Sequence, residues 1–202
     1  MKQLHIITPV KDSIELTLQT IESILSSDFT VPYHYYVYND FSTDENTARL
    51  REASEKMGFE LINLSDLTDH PSPNYLLILQ TAQQKAIAAD AGLLIVESDV
   101  IVKKHTLQSL FDGALTRPDC GIAAAVTVDE QENINYPYLY AKGKEGKVFP
   151  EKKHVSFCCS LLTVSFLKAF DFLFSIHECT YIHSCNLTSI CTAICLTNDQ
   201  IL

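Results

Sequence analysis

Residues 4–25 read LHIITPVKDSIELTLQTIESIL, and two kinds of apolar spacing follow one another in this stretch. Residues 4–8 form a short apolar run, which is typical of a strand that is buried on both faces of a sheet. The later apolar residues are spaced by four, three and four positions, which places them on one face of a helix: Ile14, Leu18, Ile21 and Leu25. The stretch therefore predicts a strand followed by an amphipathic helix.

The same alternation of strand and helix signals continues over the first half of the chain. Further strands are predicted at residues 35–38, 59–64 and 93–96, and further helices at 42–57, 75–89 and 107–115. A repeated strand-helix-strand order is typical of right-handed crossovers between parallel strands. The sequence therefore predicts an α/β protein with a Rossmann-like, mostly parallel sheet flanked by helices.

The pattern changes after Asp119. One more strand is predicted at residues 121–128, then a polar loop at 129–153 that is long enough to suggest a functional role, and a helix at 166–172. Four of the seven cysteines fall in the last thirty residues, which lack clear periodicity. We expect one α/β half at residues 1–128 and a partial, shortened or atypical region with a Cys-rich tail at 129–202.

The composition limits the classes of partner. The formal net charge is -10, which argues against nucleic acid as the main partner, because phosphate binding draws on clustered basic residues. No secretory signal is recognisable at the N-terminus, and two charged residues interrupt the apolar stretch 155–176, which disfavours a membrane span. The cysteines are then expected to be reduced thiols. These features predict a cytoplasmic protein.

Polar residues follow three of the predicted strands. They lie in the segments 8–12 (TPVKD), 39–44 (NDFSTD) and 97–99 (ESD). In an open parallel sheet, ligands bind outside the carboxyl ends of the strands, where the strand order switches. We therefore expect the functional site to be assembled from these three segments.

Two of these segments carry acids that suit a nucleotide. Glu97 and Asp99 are two residues apart, so in an extended strand end both would point toward one hard cation such as Mg²⁺ or Mn²⁺. Asp40 stands where its strand stops, and a carboxylate there could accept the imide N–H of a pyrimidine base. The alternative interpretation is that these acids are only solvated strand ends, with Ser42, Asp44 and Glu45 capping the next helix.

In combination and order, the three segments resemble those of inverting glycosyltransferases of family 2, which have the GT-A fold. The resemblance covers about residues 3–128. It implies transfer of a sugar from a nucleotide-diphosphate sugar, by preference UDP-linked, to a glycan or lipid-linked acceptor, with Mn²⁺ or Mg²⁺ as cofactor. A lipid-linked acceptor would place the protein at the inner membrane face. Assembly into a homo-oligomer is compatible with this resemblance.

The resemblance also implies roles for individual residues. Thr8, Pro9 and Val10 would wall the nucleotide base, with Val10 where the family often has an aromatic residue, and Asp40 would bind the base edge. Asp99 would ligate the metal, and Glu97 would lie beside it and contact the ribose or a metal-bound water.

The chain departs from the family pattern in places. Asn39 and Glu97 stand where the family usually has Asp, and no acid after residue 172 has the context of the family's catalytic base; the acids there are Glu178 and Asp199, and Asp171 precedes them. The catalytic residue is therefore unassigned. Two alternatives remain: a non-catalytic or truncated nucleotide-binding protein of the same fold, and a nucleotidyltransferase-like enzyme. The second lacks support because no glycine-rich phosphate loop follows the first strand.

Overall fold

A computed structural model describes residues 1–129, 131–136, 138–144, 147–151, 155–170 and 192–196, the last of these by their backbone. The strands are β1 (Leu4–Val10), β2 (Tyr33–Asn39), β3 (Glu60–Asn63), β4 (Gly92–Val96), β5 (Cys120–Ala125), β6 (Val148–Glu151), β7 (Cys159–Leu162) and β8 (Thr192–Leu196). The helices are α1 (Ile14–Leu25), α2 (Asp44–Met57), α3 (Tyr75–Ala88), α4 (Thr106–Leu115) and α5 (Val164–Ala169). Two short 3-10 helices, Leu64–Asp66 and Leu139–Ala141, lie in loops.

The strands form one sheet in the order β3-β2-β1-β4-β7-β5-β8-β6. The first four strands in this order pair in parallel. β7 lies between β4 and β5 and is antiparallel to both, whereas β8 is parallel to β5 and antiparallel to β6. The predicted fold class, α/β with a mostly parallel sheet flanked by helices, is confirmed. The strands of residues 129–202 join the same sheet as those of residues 1–128.

Apolar side chains cover both faces of the sheet. One core cluster joins alternate residues of β1, such as Leu4 and Ile6, to the buried faces of α1, α2 and α4. The other joins Ile7 of β1 and Tyr38 of β2 to α3 and α5. Strands that are buried on both faces read as continuous apolar runs, which is why the sequence revealed them.

Four of the predicted helices agree closely with the observed ones, because their ends carry local signals. The fifth, predicted at 166–172, is observed as α5 at Val164–Ala169, and residues 171–172 lie outside the described residues. Gly58 ends α2 in the left-handed conformation at φ 81°, as expected of a helix C-cap. The N-cap of α2 is Thr43, whose side chain accepts a hydrogen bond from the Asn46 N–H. Ser42 instead accepts the Asp12 N–H, so the expectation that Ser42 caps the helix is wrong.

Three expectations about strands and loops need correction. Pro9 lies inside β1 rather than in a turn after it; β4 pairs with β1 only as far as Ile7, so no bond to β4 is lost at Pro9. The loop 129–153 contains the second 3-10 helix and β6 among its described residues. β7 was not predicted, because a four-residue apolar run cannot be told from a buried helix segment by its periodicity.

Within the described part of the chain, no helix is long and apolar enough to cross a membrane. Most of the Cys-rich tail and the three acids considered as catalytic bases, Asp171, Glu178 and Asp199, lie outside the described residues.

Candidate functional site

The candidate site lies where β2, β1 and β4 end side by side. These strands are adjacent and parallel, so their carboxyl ends meet at one edge of the sheet. Asp40 follows β2 and Glu97 follows β4. Both side chains bind the beginning of α3, at Asn74 and Tyr75. The fold thus brings together two carboxylates that are far apart in sequence, as the sequence predicted.

Asp40 is held by three hydrogen bonds. Its Oδ2 accepts the Ser72 hydroxyl at 2.7 Å and the Asn74 backbone N–H at 2.8 Å, and its Oδ1 accepts the Asn74 side-chain amide at 2.8 Å. A carboxylate has about four acceptor positions. One position on Oδ1 therefore remains for a ligand N–H, counted over the contacts of the described residues.

The environment of Asp40 favours its ionised form. Burial raises the pKa of the carboxyl, but the hydrogen bonds from Asn74 and Ser72 and the charge of Lys11 outweigh it, so the pKa lies below its usual value. The negative charge also lies at the N-terminus of α3, where the helix dipole stabilises it. Asp40 is therefore an oriented, charged acceptor.

Glu97 is largely buried beside α3 and β7. Its Oε1 accepts the Tyr75 hydroxyl at 2.8 Å, and its backbone N–H donates to the Cys158 carbonyl at 2.9 Å. Burial raises the pKa of the carboxyl; the bond from Tyr75 lowers it and the nearby charge of Asp99 raises it again, which leaves the pKa above its usual value. A bound cation would relieve the repulsion between the two carboxylates.

Asp99 is exposed in a turn, not in an extended strand end. The Val100 N–H donates to the Glu97 carbonyl at 3.2 Å and closes the turn around Ser98 and Asp99. The expectation that strand geometry aligns Glu97 and Asp99 is therefore wrong, although the two charges still lie close enough to interact. Among the described residues, Asp99 makes no hydrogen bond or ion pair.

The chemistry of this pair fits a divalent cation of the Mg²⁺ type. Such ions are bound through one or two carboxylates together with water and substrate phosphates. Glu97 and Asp99 supply two carboxylates, one of them exposed. A complete protein-only site is not present: no group of three or more His, Cys, Asp or Glu in the described ranges could hold a metal ion.

The three predicted residues of β1 have different surroundings. Thr8 and Val10 are 0% and 1% exposed and point to the α1 face, where the Thr8 hydroxyl bonds the Tyr35 hydroxyl at 2.9 Å. Their position favours support of the strand end over side-chain contact with a base. Pro9 alternates with them and lies on the face of Asp40 and Glu97. Contact of any of the three with a base stays a prediction.

The loops after β1 and β2 are tied to each other beside the site. The Asp12 N–H donates to the Ser42 hydroxyl at 2.8 Å, and Asp12 Oδ1 accepts the Thr43 N–H at 2.8 Å and the Asn46 amide at 3.1 Å. Lys11 donates its ammonium to the Phe41 carbonyl.

Several site residues were not found from the sequence. Ser72, Asn74 and Tyr75 bond the carboxylates of Asp40 and Glu97 from 22 to 34 residues away in sequence. The Cys158 carbonyl accepts the backbone N–H of Glu97 from 61 residues away. The one local signal is at Asn74, which precedes the apolar run of α3 as an N-cap residue commonly does.

Solved structures of other proteins share the fold of this chain. The crystal structure of S. aureus TarS residues 1–349 has a TM-score of 0.68 and 15% sequence identity, covering 100% of this chain and 60% of that one. The same fragment in complex with UDP has a TM-score of 0.63 and 14% identity, covering 98% and 61%. The fragment in complex with UDP-GlcNAc has a TM-score of 0.63 and 15% sequence identity, covering 98% of this chain and 59% of that one.

At this level of identity the similarity shows a common fold, and the present chain spans about three fifths of the TarS fragment. No family model matches the sequence, and the comparison with curated proteins finds no match.

Proposed function

We propose that this protein is a glycosyltransferase that takes a sugar from a nucleotide-diphosphate sugar. The observation that carries the proposal is the meeting of Asp40 and Glu97 at the N-terminus of α3, with the exposed carboxylate of Asp99 beside them. This arrangement offers an acceptor for a base N–H and oxygen ligands for a cation. The resemblance to family 2 and the fold shared with TarS support the same conclusion.

The donor base is proposed to be uracil. Asp40 is ionised and has one acceptor position on Oδ1, which matches the single imide N–H at the edge of that base. The TarS fragment, which shares this fold, was crystallised in complex with UDP and with UDP-GlcNAc, and this supports a uridine nucleotide as the donor. Pro9 would lie under the base, with Thr8 and Val10 supporting it from the core.

Glu97 and Asp99 would hold Mn²⁺ or Mg²⁺ against the diphosphate. When bound, the ion neutralises charge on the departing nucleoside diphosphate. The chain's own contribution is to orient the carboxylates: Tyr75 fixes Glu97, and the turn at Ser98 presents Asp99 to solvent.

The acceptor would meet the sugar on the side of residues 129–202. Inverting transfer needs a base that takes the proton from the attacking hydroxyl. We assign no residue to this role. A glycan or a lipid-linked sugar is the acceptor class that follows from the resemblance.

Thermal unfolding in the presence of nucleotides tests the donor site. We expect UDP with MnCl₂ to raise the Tm by roughly 5 to 10 °C at about 100 times its Kd, with smaller effects of GDP, CDP and ADP. Asp99→Ala should remove the manganese-dependent part of the shift, because it deletes the exposed ligand.

The matched control is Glu55→Ala, which removes an exposed carboxylate from α2, away from the site. This variant should keep the full shift. An equal shift in Asp99→Ala and wild type would overturn the assigned metal site, and no shift with any nucleotide would overturn the donor site. UDP binding without hydrolysis or transfer of the sugar would favour the non-catalytic alternative.

A further inference from the structure

We propose that Asp12 is a positioning residue, which holds the loop of Asp40 in its nucleotide-binding conformation. The inference rests on the proposed function and assigns a role that the resemblance did not imply. Asp12 itself would not touch the nucleotide. It would act through the backbone of residues 40–43.

The first observation is the conformation of the two loops. Five non-glycine residues of the described chain have positive φ, and three of them are Asp12 (55°), Ser13 (48°) and Phe41 (57°). Left-handed backbone is unfavourable for residues with a Cβ, and most of all for a bulky side chain such as Phe41. Such conformations persist only where surrounding contacts enforce them, and they cluster at functional sites.

The second observation is the set of contacts that enforce them. Asp12 bonds the loop after β2 at Ser42 and Thr43 and the first turn of α2 at Asn46, with its backbone N–H and its carboxylate. The bonds to its carboxylate hold the pKa of Asp12 below its usual value, with the bond from the Thr43 backbone as the largest cause, followed by the bond from the Asn46 side chain. We call this set of bonds the Asp12 clamp.

The clamp bears directly on Asp40. Phe41, in its left-handed conformation, separates Asp40 from the clamped residues, and the Ser42 N–H returns to the Asn39 side chain at 3.1 Å. The Asp40 N–H in turn donates to the Val10 carbonyl at 2.8 Å. Asp40 is thereby fixed on both sides: its own N–H is bonded to β1, and the residues that follow it are bonded to Asp12.

Pre-organisation of this kind affects ligand affinity. A ligand that binds a partly populated conformation loses affinity in proportion to that population. With the clamp in place, the nucleotide meets Asp40 already oriented. Without it, part of the binding energy would be spent on ordering the loop.

The experiment compares two aspartates in left-handed conformation. Asp12→Gly removes the carboxylate without backbone strain, because glycine accepts positive φ. Asp90→Gly does the same at φ 51°. The Asp90 carboxylate pairs with Lys168 at 2.9 Å, and Asp90 lies just before β4 begins, at the opposite end of this strand from the candidate site. Asp12→Asn keeps an oxygen that can accept the Thr43 N–H and also tolerates positive φ.

Two measurements are made on the full chain. Titration with UDP and MnCl₂ should give a Kd about tenfold weaker in Asp12→Gly, within about twofold of wild type in Asp90→Gly, and largely restored in Asp12→Asn. Amide hydrogen exchange of the ligand-free protein should be faster at residues 40–43 in Asp12→Gly alone.

The outcomes separate this inference from the proposed function. UDP binding by wild type with an unchanged Kd in Asp12→Gly would overturn the clamp and leave the proposed function standing. Equal weakening in both glycine variants would also overturn it, since that result reports general destabilisation. Absence of UDP binding by wild type would overturn the proposed function and the clamp with it.

Discussion

His5 is a buried histidine in β1 whose Nδ1 atom has no hydrogen-bond partner among the described residues. Its ring packs edge-on against His34, at 5.6 Å between centroids, and against Tyr36, at 5.3 Å. Burial lowers the pKa of His5, the charges of His34 and Lys85 lower it further, and Glu60 acts in the opposite direction. The folded protein therefore holds this imidazole neutral.

This neutral imidazole predicts a loss of stability in mild acid. Below the ordinary pKa of about 6.5, the unfolded chain binds a proton at His5 that the folded chain refuses, so lowering the pH favours unfolding. The free energy of unfolding should fall more steeply between pH 7 and 5 in wild type than in His5→Phe, which keeps a ring in the cluster. Urea denaturation at the two pH values measures this.

The control for the pH effect is His70→Phe, which alters an exposed histidine outside the cluster. It should keep the wild-type dependence on pH. Identical pH dependence in wild type and His5→Phe would contradict the assignment of this effect to His5.

At the residue scale, the sequence predicted the site's charges but not their partners. Asp40, Glu97 and Asp99 were recognisable because each follows an apolar run at a predictable sheet edge. Their orientation was not, because it depends on long-range contacts such as Tyr75 with Glu97. The turn at Asp99 shows the limit: a spacing of two has meaning only while the backbone stays extended.

At the scale of elements, helices were predicted more accurately than short strands. The ends of α2 have local causes, the Thr43 cap and the left-handed Gly58. β7 has no such local cause. Its place between β4 and β5 depends on pairing with β4, which ends 63 residues before β7 begins. Only the assembled sheet gives that segment its conformation.

The end of α2 offers a test of this local control. At Gly58, φ is 81° and an added Cβ would meet nothing within 4 Å, so Gly58→Ala introduces backbone strain without a steric clash. We expect it to lower the free energy of unfolding by about 1 kcal/mol. Thermal or urea unfolding measures the change.

Asparagine provides the comparison for this substitution, because it tolerates the left-handed conformation better than alanine. Gly58→Asn should therefore cost less than Gly58→Ala. A larger cost for Asn, or no cost for Ala, would show that the conformation of Gly58 does not stabilise the end of α2.

At the scale of the whole molecule, Gly92 marks a point where three strands pack closely. A Cβ added at this first residue of β4 would meet Met1 Sδ, and would lie 2.8 Å from Leu4 Cδ2 and 3.2 Å from Leu161 Cδ1. Leu4 is fully buried and cannot move aside. We expect Gly92→Ala to destabilise the protein by about 1–3 kcal/mol, as overpacking does.

A double-mutant cycle identifies the cause. Leu4→Val shortens a buried side chain that the new methyl group would meet, so the double variant should lose less stability than the sum of the two single changes. Simple additivity of the two losses would contradict steric conflict between these positions. Urea unfolding of the four proteins supplies the numbers.

The position of β7 sets an order of events during synthesis. β1, β2, β3 and β4 can pair once residue 96 has left the ribosome, but one edge of β4 stays open until residue 162 follows. At about 5–20 residues per second, this interval lasts roughly 3 to 13 s. A nascent chain that stops at residue 128 would thus expose an apolar strand edge to neighbouring chains, and translation speed over the second half would influence how much protein reaches the native state.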